Sequence, residues 1–294
     1  MPALKLVITG SQGDVGEYAV KYARQQGADV LAVDNIGRGD WQGYISADLN
    51  DLGQVYDVLH GADAVIHLAA ISDPYVVPAA QCFTSNVRMT YNVLEAAARL
   101  GIRRVVLASS IQLHHPAFPR EPIHYDYLPF DEEHPVNPHD EYGLAKQVGE
   151  ACADNFAHHW GLSVVSLRIT WSIEQAEMQR RFPMPLPAQL PTPRVKQRWL
   201  PTPFYIEAWD CARACYLAAT VDLPPATHIP LIITARDSTY AVPTREVAQR
   251  FFPQAQIRSG LDGFASIASG ARAEQVLGFV PQFSWREDKG VSHE

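Results

Sequence analysis

A chain of 294 residues, 47% hydrophobic and 19% charged, has ordinary globular composition and suits one large α/β domain, alone or with a smaller appendage. Its formal charge of −8, with no Lys/Arg block, disfavours nucleic acid and other polyanionic partners. No apolar run reaches the length of a membrane span, Met1-Pro2-Ala3 passes into a strand pattern without a leader, and Cys82, Cys152, Cys211 and Cys215 form no Cys-x-x-Cys pair, so a cytoplasmic chain without membrane, disulfide frame or metal is expected.

In chain order, Leu4–Thr9, Asp29–Asp34, Ala64–Leu68, Arg103–Ala108 and Ser163–Arg168 are near-continuous apolar runs. This is the pattern of strands buried on both faces of a parallel sheet. Between them, Val15–Gln26, Asp51–His60, Thr84–Leu100 and Glu141–Trp160 carry helical periodicity. The βαβ order predicts a doubly wound parallel α/β sheet with right-handed crossovers. Residues 183–203 then hold seven prolines, which forbid a long helix or a central strand and suggest a semi-rigid lid over a site. Glu207–Thr220 is predicted as helix, His228–Thr234 as strand, and Thr244–Phe252 and Ser269–Leu277 as helices, with Trp285 as a packing anchor.

The first strand runs into Thr9-Gly10-Ser11-Gln12-Gly13-Asp14-Val15-Gly16. Glycines between a buried strand and a helix permit a tight turn and let a pyrophosphate approach the backbone at the helix's positive end. Asp34 ends the next strand, where a carboxylate accepts both adenosine ribose hydroxyls and repels a 2′-phosphate. Arg38 is the one residue that argues for NADP, but a surface-loop arginine is the simpler account. The cofactor expected is therefore NAD.

The Gly-x-x-Gly-x-x-Gly spacing resembles the extended short-chain dehydrogenase/reductases, the NAD-dependent epimerase/dehydratase group, and the resemblance runs over nearly the whole chain. Asp48-Leu49, after a third strand, matches that family's adenine-contacting pair. His67-Leu68-Ala69-Ala70 matches the turn beneath the cofactor. Asn86, on a long helix with Asn92, matches the asparagine that props the active-site strand. The resemblance implies cofactor contacts from Gly10, Gln12, Gly13, Asp14, Val15, Gly16, Asp34, Asn35, Asp48, Leu49, Leu68, Ala69, Ala70, Asn86, Ala108, Ser109, Tyr142, Lys146 and Ile169. It also implies a Rossmann domain over 1–170, rejoined by 204–235, a Pro-rich substrate loop over 171–203 and a small substrate region over 236–294.

Tyr142-Gly143-Leu144-Ala145-Lys146 is the family's Tyr-x-x-x-Lys. Positions i and i+4 share one helix face, so phenol and ammonium line one cleft. A free tyrosine titrates near pH ~10. Lys146 and the nicotinamide's positive charge are expected to lower that value, so that Tyr142 takes a hydroxyl proton as hydride leaves. By family position Ser110 holds the reacting oxygen and Ser109 is structural. Related dehydratases place acids directly after this serine, whereas this chain has Ile111 and Gln112, which argues against dehydration. Trp171 stands where UDP-sugar binders usually carry asparagine. Uronate dehydrogenases are similar in the serine turn and in an arginine, here Arg180 or Arg181, that grips a carboxylate.

The substrate contacts expected are therefore Ser110, Ile111, Gln112, Trp171 and Arg180. His114 and His115 follow the serine turn, so one of them could face the substrate, yet His114, His115, His124, His134, His139, His158 and His159 have no metal-ligand spacing and read as scattered polar loop residues. The leading expectation is NAD-dependent oxidation of a secondary alcohol on a sugar or sugar acid. A nucleotide-sugar epimerase is the alternative, and the intact Ser110, Tyr142 and Lys146 weigh against an NAD-sensing regulator. A homodimer through Thr84–Leu100 and Glu141–Trp160 completes the expectations.

Overall fold

The computed structural model describes residues 3–36, 42–117, 119–186 and 202–287. Its elements are, in order, β1 (Lys5–Thr9), α1 (Asp14–Gln25), β2 (Asp29–Asp34), β3 (Tyr44–Ser46), α2 (Leu52–Leu59), β4 (Ala64–His67), α3 (Ala79–Leu100) and β5 (Arg104–Ser110). They continue with β6 (Tyr127–Leu128), α4 (Glu141–Trp160), β7 (Ser163–Ile169), β8 (Ser172–Ile173), α5 (Gln175–Arg181) and β9 (Ile206–Glu207). The chain ends with α6 (Ala208–Thr220), β10 (Thr227–Ile233), α7 (Thr244–Phe251), β11 (Gln256–Ile257) and α8 (Ala271–Leu277).

Seven strands form one sheet in the order β10-β7-β5-β4-β1-β2-β3, every neighbouring pair parallel. This is the doubly wound Rossmann-type α/β fold. Both faces are covered, so β4 and β7 are buried along their whole length and read as continuous apolar runs. Alternate side chains of β1 serve two cores. Leu6 and Ile8 pack with Ala19 and Val20 of α1 and Cys211 and Cys215 of α6, while Val7 packs with Val55 of α2, Leu94 of α3 and Phe156 of α4. The four cysteines are unpaired thiols. Strand order reverses at β1, between β4 and β2, and the crevice at such a switch point is where these sheets bind ligands.

The lower-lying surprises are local. Helix α3 begins at Ala79, five residues before the predicted Thr84, because Ala79-Ala80-Gln81 are good helix formers directly after a proline. Strand β5 extends through Ser109 and Ser110, so both serines belong to the sheet rather than to a turn beyond it. Helix α5 was not expected, and it carries both Arg180 and Arg181.

A smaller module sits at the carboxyl ends of the strands. Strand β6 pairs with β11, and β8 with β9. Tyr125, Leu128 and Phe130, from the segment between β5 and α4, share a core with Phe204, Phe252 and Ile267. Trp285 is an anchor, as expected. Its indole Nε1 donates to the Ser238 carbonyl (2.9 Å), and its ring meets Phe182 at 5.9 Å between centroids. Most of the Pro-rich segment, residues 187–201, and with it the expected lid, lies outside the described residues, as does Arg38. Among the described residues no helix is long and apolar enough to cross a membrane, and no group of three or more His, Cys, Asp or Glu could hold a metal ion.

Candidate active site

The glycine turn is built without room for side chains. Gly10 has φ +69°, and a Cβ there would stand 2.5 Å from the Ala69 nitrogen; one on Gly16 would stand 1.9 Å from the Gly10 carbonyl oxygen. The turn therefore lies directly on Leu68-Ala69 and on the first turn of α1. No side chain caps the start of α1, which leaves its first N–H groups free for an anion.

Asp34 faces this turn. Its carboxylate accepts from the backbone N–H of Gln12 (2.9 Å) and of Asn35 (2.8 Å). Ser11 Oγ and both polar side-chain atoms of Gln12 are buried with no hydrogen-bond partner, as expected where a polar ligand completes the site. Val15 packs against the core below, and Asp14 lies in the first turn of α1. These features fit a dinucleotide, with its phosphates at Gly10–Gly16 and its adenosine ribose at Asp34.

Further along, Asp48 is exposed, and its carboxylate accepts from the backbone and side chain of Asn50, both at 2.9 Å. Leu49 is buried, and its carbonyl accepts from Asn92 Nδ2 (2.9 Å). Asn86 corrects an expectation. Its amide does not prop the serine strand but clamps Ile71, donating to the carbonyl (2.9 Å) and accepting from the N–H (2.8 Å). It thus fixes the Leu68–Ala70 turn from behind, with no polar atom left for a cofactor.

The serines, tyrosine and lysine converge. Tyr142 and Lys146 lie one turn apart on α4, and the Lys146 Nζ is 5.4 Å from the Tyr142 ring centroid. The Ser110 hydroxyl acts on the Tyr142 phenol, favouring loss of its proton. Lys146 donates to the Ala108 carbonyl (2.6 Å), and burial holds its pKa down to about 8. Burial pushes the Tyr142 phenol up to about 12, with Ser110 working the other way. The expected lowering by Lys146 is therefore absent from the protein alone: the ammonium is committed to Ala108, and desolvation of the phenol dominates.

Behind these groups runs a buried polar network. Ser109 Oγ donates to Glu150 Oε1 (2.5 Å), and Glu150 is paired with Arg168 through two bonds, of 3.0 and 2.7 Å. Arg168 Nη1 also meets His114 Nε2 (2.8 Å) and the Glu132 carbonyl (3.1 Å). Ser109 is thus turned inward, and Ile169, buried, ends β7 directly after Arg168. His114 and His115 are both buried, His114 Nε2 against Arg168 and His115 Nδ1 bonded to the Tyr125 hydroxyl (2.5 Å). His134 and His139 are buried too, each accepting a backbone N–H, from Asp126 and Arg120. Only His124, His158 and His159 of the seven match the reading as exposed loop or helix-end residues.

This yields an expected pH response. Burial holds His67, His114 and His115 down to about 3, so the folded protein keeps them neutral where the unfolded chain binds protons. Their contribution is fully present above about pH 6.5 and is lost as pH falls from there towards about 3, by up to about 1.4 kcal/mol per pH unit per histidine. Buried carboxyls displaced upwards, Glu207 to about 7, act in the opposite sense. Thermal unfolding followed from neutral to mildly acidic pH should therefore show falling stability, and His115→Phe should shallow the slope. An equal slope in that variant would contradict this account.

On the substrate side, Ile111 is buried, and Gln112 keeps a buried Oε1 without a partner. Trp171 packs on Phe182 (5.8 Å between centroids), and the Arg181 guanidinium lies 5.7 Å from its ring. Arg180, the arginine singled out from sequence, has a side chain 74% exposed and directed at Glu177. Arg181 shares that carboxylate but is only 45% exposed. The geometry therefore places Arg181, not Arg180, beside Trp171.

Residues 6–172 match the model of the NAD dependent epimerase/dehydratase family. The chain belongs to this family. Its members are NAD-dependent dehydrogenases and epimerases of the extended short-chain type, and NAD is the cofactor of this epimerase/dehydratase enzyme. The chain is 28% identical over 241 residues to an L-arabinose 1-dehydrogenase (NAD(P)(+)) of Haloferax volcanii, covering 80% of this chain and 90% of that one. It is 30% identical over 185 residues to a uronate dehydrogenase of Pseudomonas putida, covering 61% and 65%. A UDP-glucose 4-epimerase of Corynebacterium glutamicum is 27% identical over 315 residues, covering 95% and 91%. Among solved structures, MoeE5 in complex with UDP-glucose and NAD superposes with a TM-score of 0.70 at 25% identity, covering 96% and 95%.

Proposed function

We propose that this protein oxidises a secondary alcohol of a free sugar or sugar acid, with Ser110, Tyr142 and Lys146 as the reacting group of side chains. The observation that carries this reading is their convergence at the carboxyl end of β5, beside a glycine turn shaped for a dinucleotide. NAD⁺, when bound, supplies the hydride acceptor. Ser110 would hold the substrate hydroxyl by hydrogen bond, and Tyr142 would take its proton as the phenolate, a form that the positive charge of NAD⁺ favours. Lys146, whose pKa burial holds down to about 8, would exchange its bond to Ala108 for one to the cofactor ribose. Ile111 and Gln112 offer no acid or base, so dehydration lacks a proton carrier.

A second reading, a nucleotide-sugar epimerase using the same relay, is supported by the near full-length match to the Corynebacterium glutamicum enzyme. Against it, Trp171 occupies the place of the nucleotide-binding asparagine, with its ring packed on Phe182. The likeness to arabinose and uronate dehydrogenases favours a free sugar or sugar acid.

If the substrate is an acid, Arg181 grips its carboxylate. Arg181→Ala should then raise KM for D-glucuronate at least about tenfold over any change for L-arabinose, because a hydrogen bond to a charged group contributes roughly 1.5–3 kcal/mol. Arg180→Ala, the exposed control, should change neither. A protein that shows no preference for acid has a neutral substrate instead, and one that keeps the preference in both variants does not use Arg181 as its clamp.

Tyr91 on α3 and Trp160 on α4 are exposed aromatic side chains that both pack on Phe156, and we assign a homodimer to the surface of these two packed helices. Sedimentation should return a dimer that Tyr91→Lys with Trp160→Lys weakens; a monomer at micromolar concentration would remove this assignment. Four unpaired thiols suit the cytoplasm.

A further inference from the structure

We infer that Glu150 is a positioning residue for the reacting side chains. Acting through Ser109 and Arg168, its carboxylate sets where Ser110 stands relative to Tyr142 and Lys146. This rests on the reading of those three residues as the reacting group.

Glu150 lies one turn beyond Lys146 on α4, among the buried residues of the helix that include Tyr142. Its carboxylate meets two strands at once. Ser109 of β5 and Arg168 of β7 stand opposite each other in the parallel register, and both reach it. Ser109 Oγ donates to Oε1 (2.5 Å), Arg168 Nε donates to the same oxygen (3.0 Å), and Arg168 Nη2 donates to Oε2 (2.7 Å). All three residues are buried, so water does not compete for these bonds.

Ser110 is thereby bracketed. On its amino side, two successive residues are tied to α4: the Ala108 carbonyl accepts from Lys146 Nζ (2.6 Å), and the Ser109 hydroxyl donates to Glu150. On its carboxyl side, the turn Ile111–Leu113 is closed by the His114 N–H donating to the Ile111 carbonyl (2.9 Å). His114 Nε2 in turn accepts from Arg168 Nη1 (2.8 Å), and the other guanidinium nitrogens of Arg168 hold Glu150. Both flanks of the serine therefore return to one carboxylate, on the helix that carries the tyrosine and the lysine.

A buried ion pair adds little net stability over well-packed apolar residues in both places, because desolvation offsets the attraction. What these bonds add is direction. They fix distance and angle between β5 and α4, where an apolar contact leaves the strand freer to slide. Proton and hydride transfer depend on that geometry, and a misplacement of about 1 Å can cost on the order of 10²-fold in rate.

Ser109→Ala cuts the link to β5 and leaves the Glu150–Arg168 pair whole. Turnover is measured with saturating NAD⁺ on whichever of D-glucuronate, L-arabinose and UDP-glucose the parent protein converts fastest. The variant should lose about tenfold or more in kcat, with KM and NAD⁺ affinity within about twofold of the parent, because every group that touches substrate or cofactor is still present. Ser109→Thr keeps the hydroxyl and should restore most of the rate. Ser166→Ala is the control for loss of a buried bond as such. Ser166 is fully buried on β7, opposite Leu107, and its Oγ bonds His228 Nε2 (2.8 Å). That variant should lower the unfolding midpoint and leave kcat unchanged.

An unchanged kcat in folded Ser109→Ala overturns the proposal, and so does an equal fall in Ser166→Ala. Either result leaves Glu150 as a structural ion-pair partner alone. Turnover that survives in Tyr142→Phe, or a parent that converts none of the three sugars, overturns instead the underlying reading of the reacting group, and the proposal with it.

Discussion

Replacing Tyr142 by Phe is expected to lower turnover by about 10²–10⁴-fold, the usual contribution of a general acid or base, while leaving NAD⁺ affinity close to that of the parent. The variant keeps the ring and loses only the hydroxyl. The ring is nearly buried and stands beside the Lys146 ammonium, so the cleft keeps its shape and Lys146 its bond to Ala108. What disappears is the hydroxyl proposed to take the substrate proton. Calorimetry on both proteins should give matching NAD⁺ affinities, with NADP⁺ markedly weaker on each if Asp34, beside the glycine turn, takes the adenosine ribose. Turnover within a few-fold of the parent would mean that another group removes the proton.

The second large effect is on stability. Arg168→Met should destabilise the protein by about 3–5 kcal/mol, because it leaves the Glu150 carboxylate buried without its partner. For a chain of this length the loss corresponds to a fall of the unfolding midpoint on the order of 10 °C. Adding Glu150→Gln should recover part of it, since the uncompensated charge is removed while the side chain can still accept from Ser109. Loss of less than about 1 kcal/mol in the single variant, or no recovery in the double, would show that the pair is solvated or dispensable.

The two effects differ in how far they could be read in the sequence. Tyr142 and Lys146 are four residues apart on one helix, and Gly10, Gly13 and Gly16 lie in one strand-to-helix turn. Local spacing encodes such groups, and continuous apolar runs encode the buried strands around them. The Glu150–Arg168 pair joins α4 to β7, and its link to Ser109 and His114 brings in β5 and the turn beyond it. No periodicity marks a contact of that kind.

The histidines show the same limit. His114 and His115 look like polar loop residues because they precede a Pro-containing stretch, and only the tertiary fold brings Phe130 against His114 and Phe204 against His115. The two arginines were legible as a pair, but not the helix α5 that turns Arg180 outward and Arg181 towards Trp171. The pull of Lys146 on Tyr142 was also overestimated, because sequence shows an ammonium one turn away and does not show the Ala108 carbonyl that holds it.

The most direct test of the central claim follows the hydride itself. D-Glucuronate and L-arabinose deuterated at every carbon-bound position are incubated with the protein and NAD⁺, alongside UDP-glucose as the competing class of substrate, and both nucleotide and sugar are analysed by mass spectrometry. The account predicts deuterium in NADH that accumulates in step with an oxidised free sugar or sugar acid, and none of it when Tyr142 is Phe. A protein that interconverts UDP-sugars without net NADH, and leaves both free sugars untouched, would contradict it.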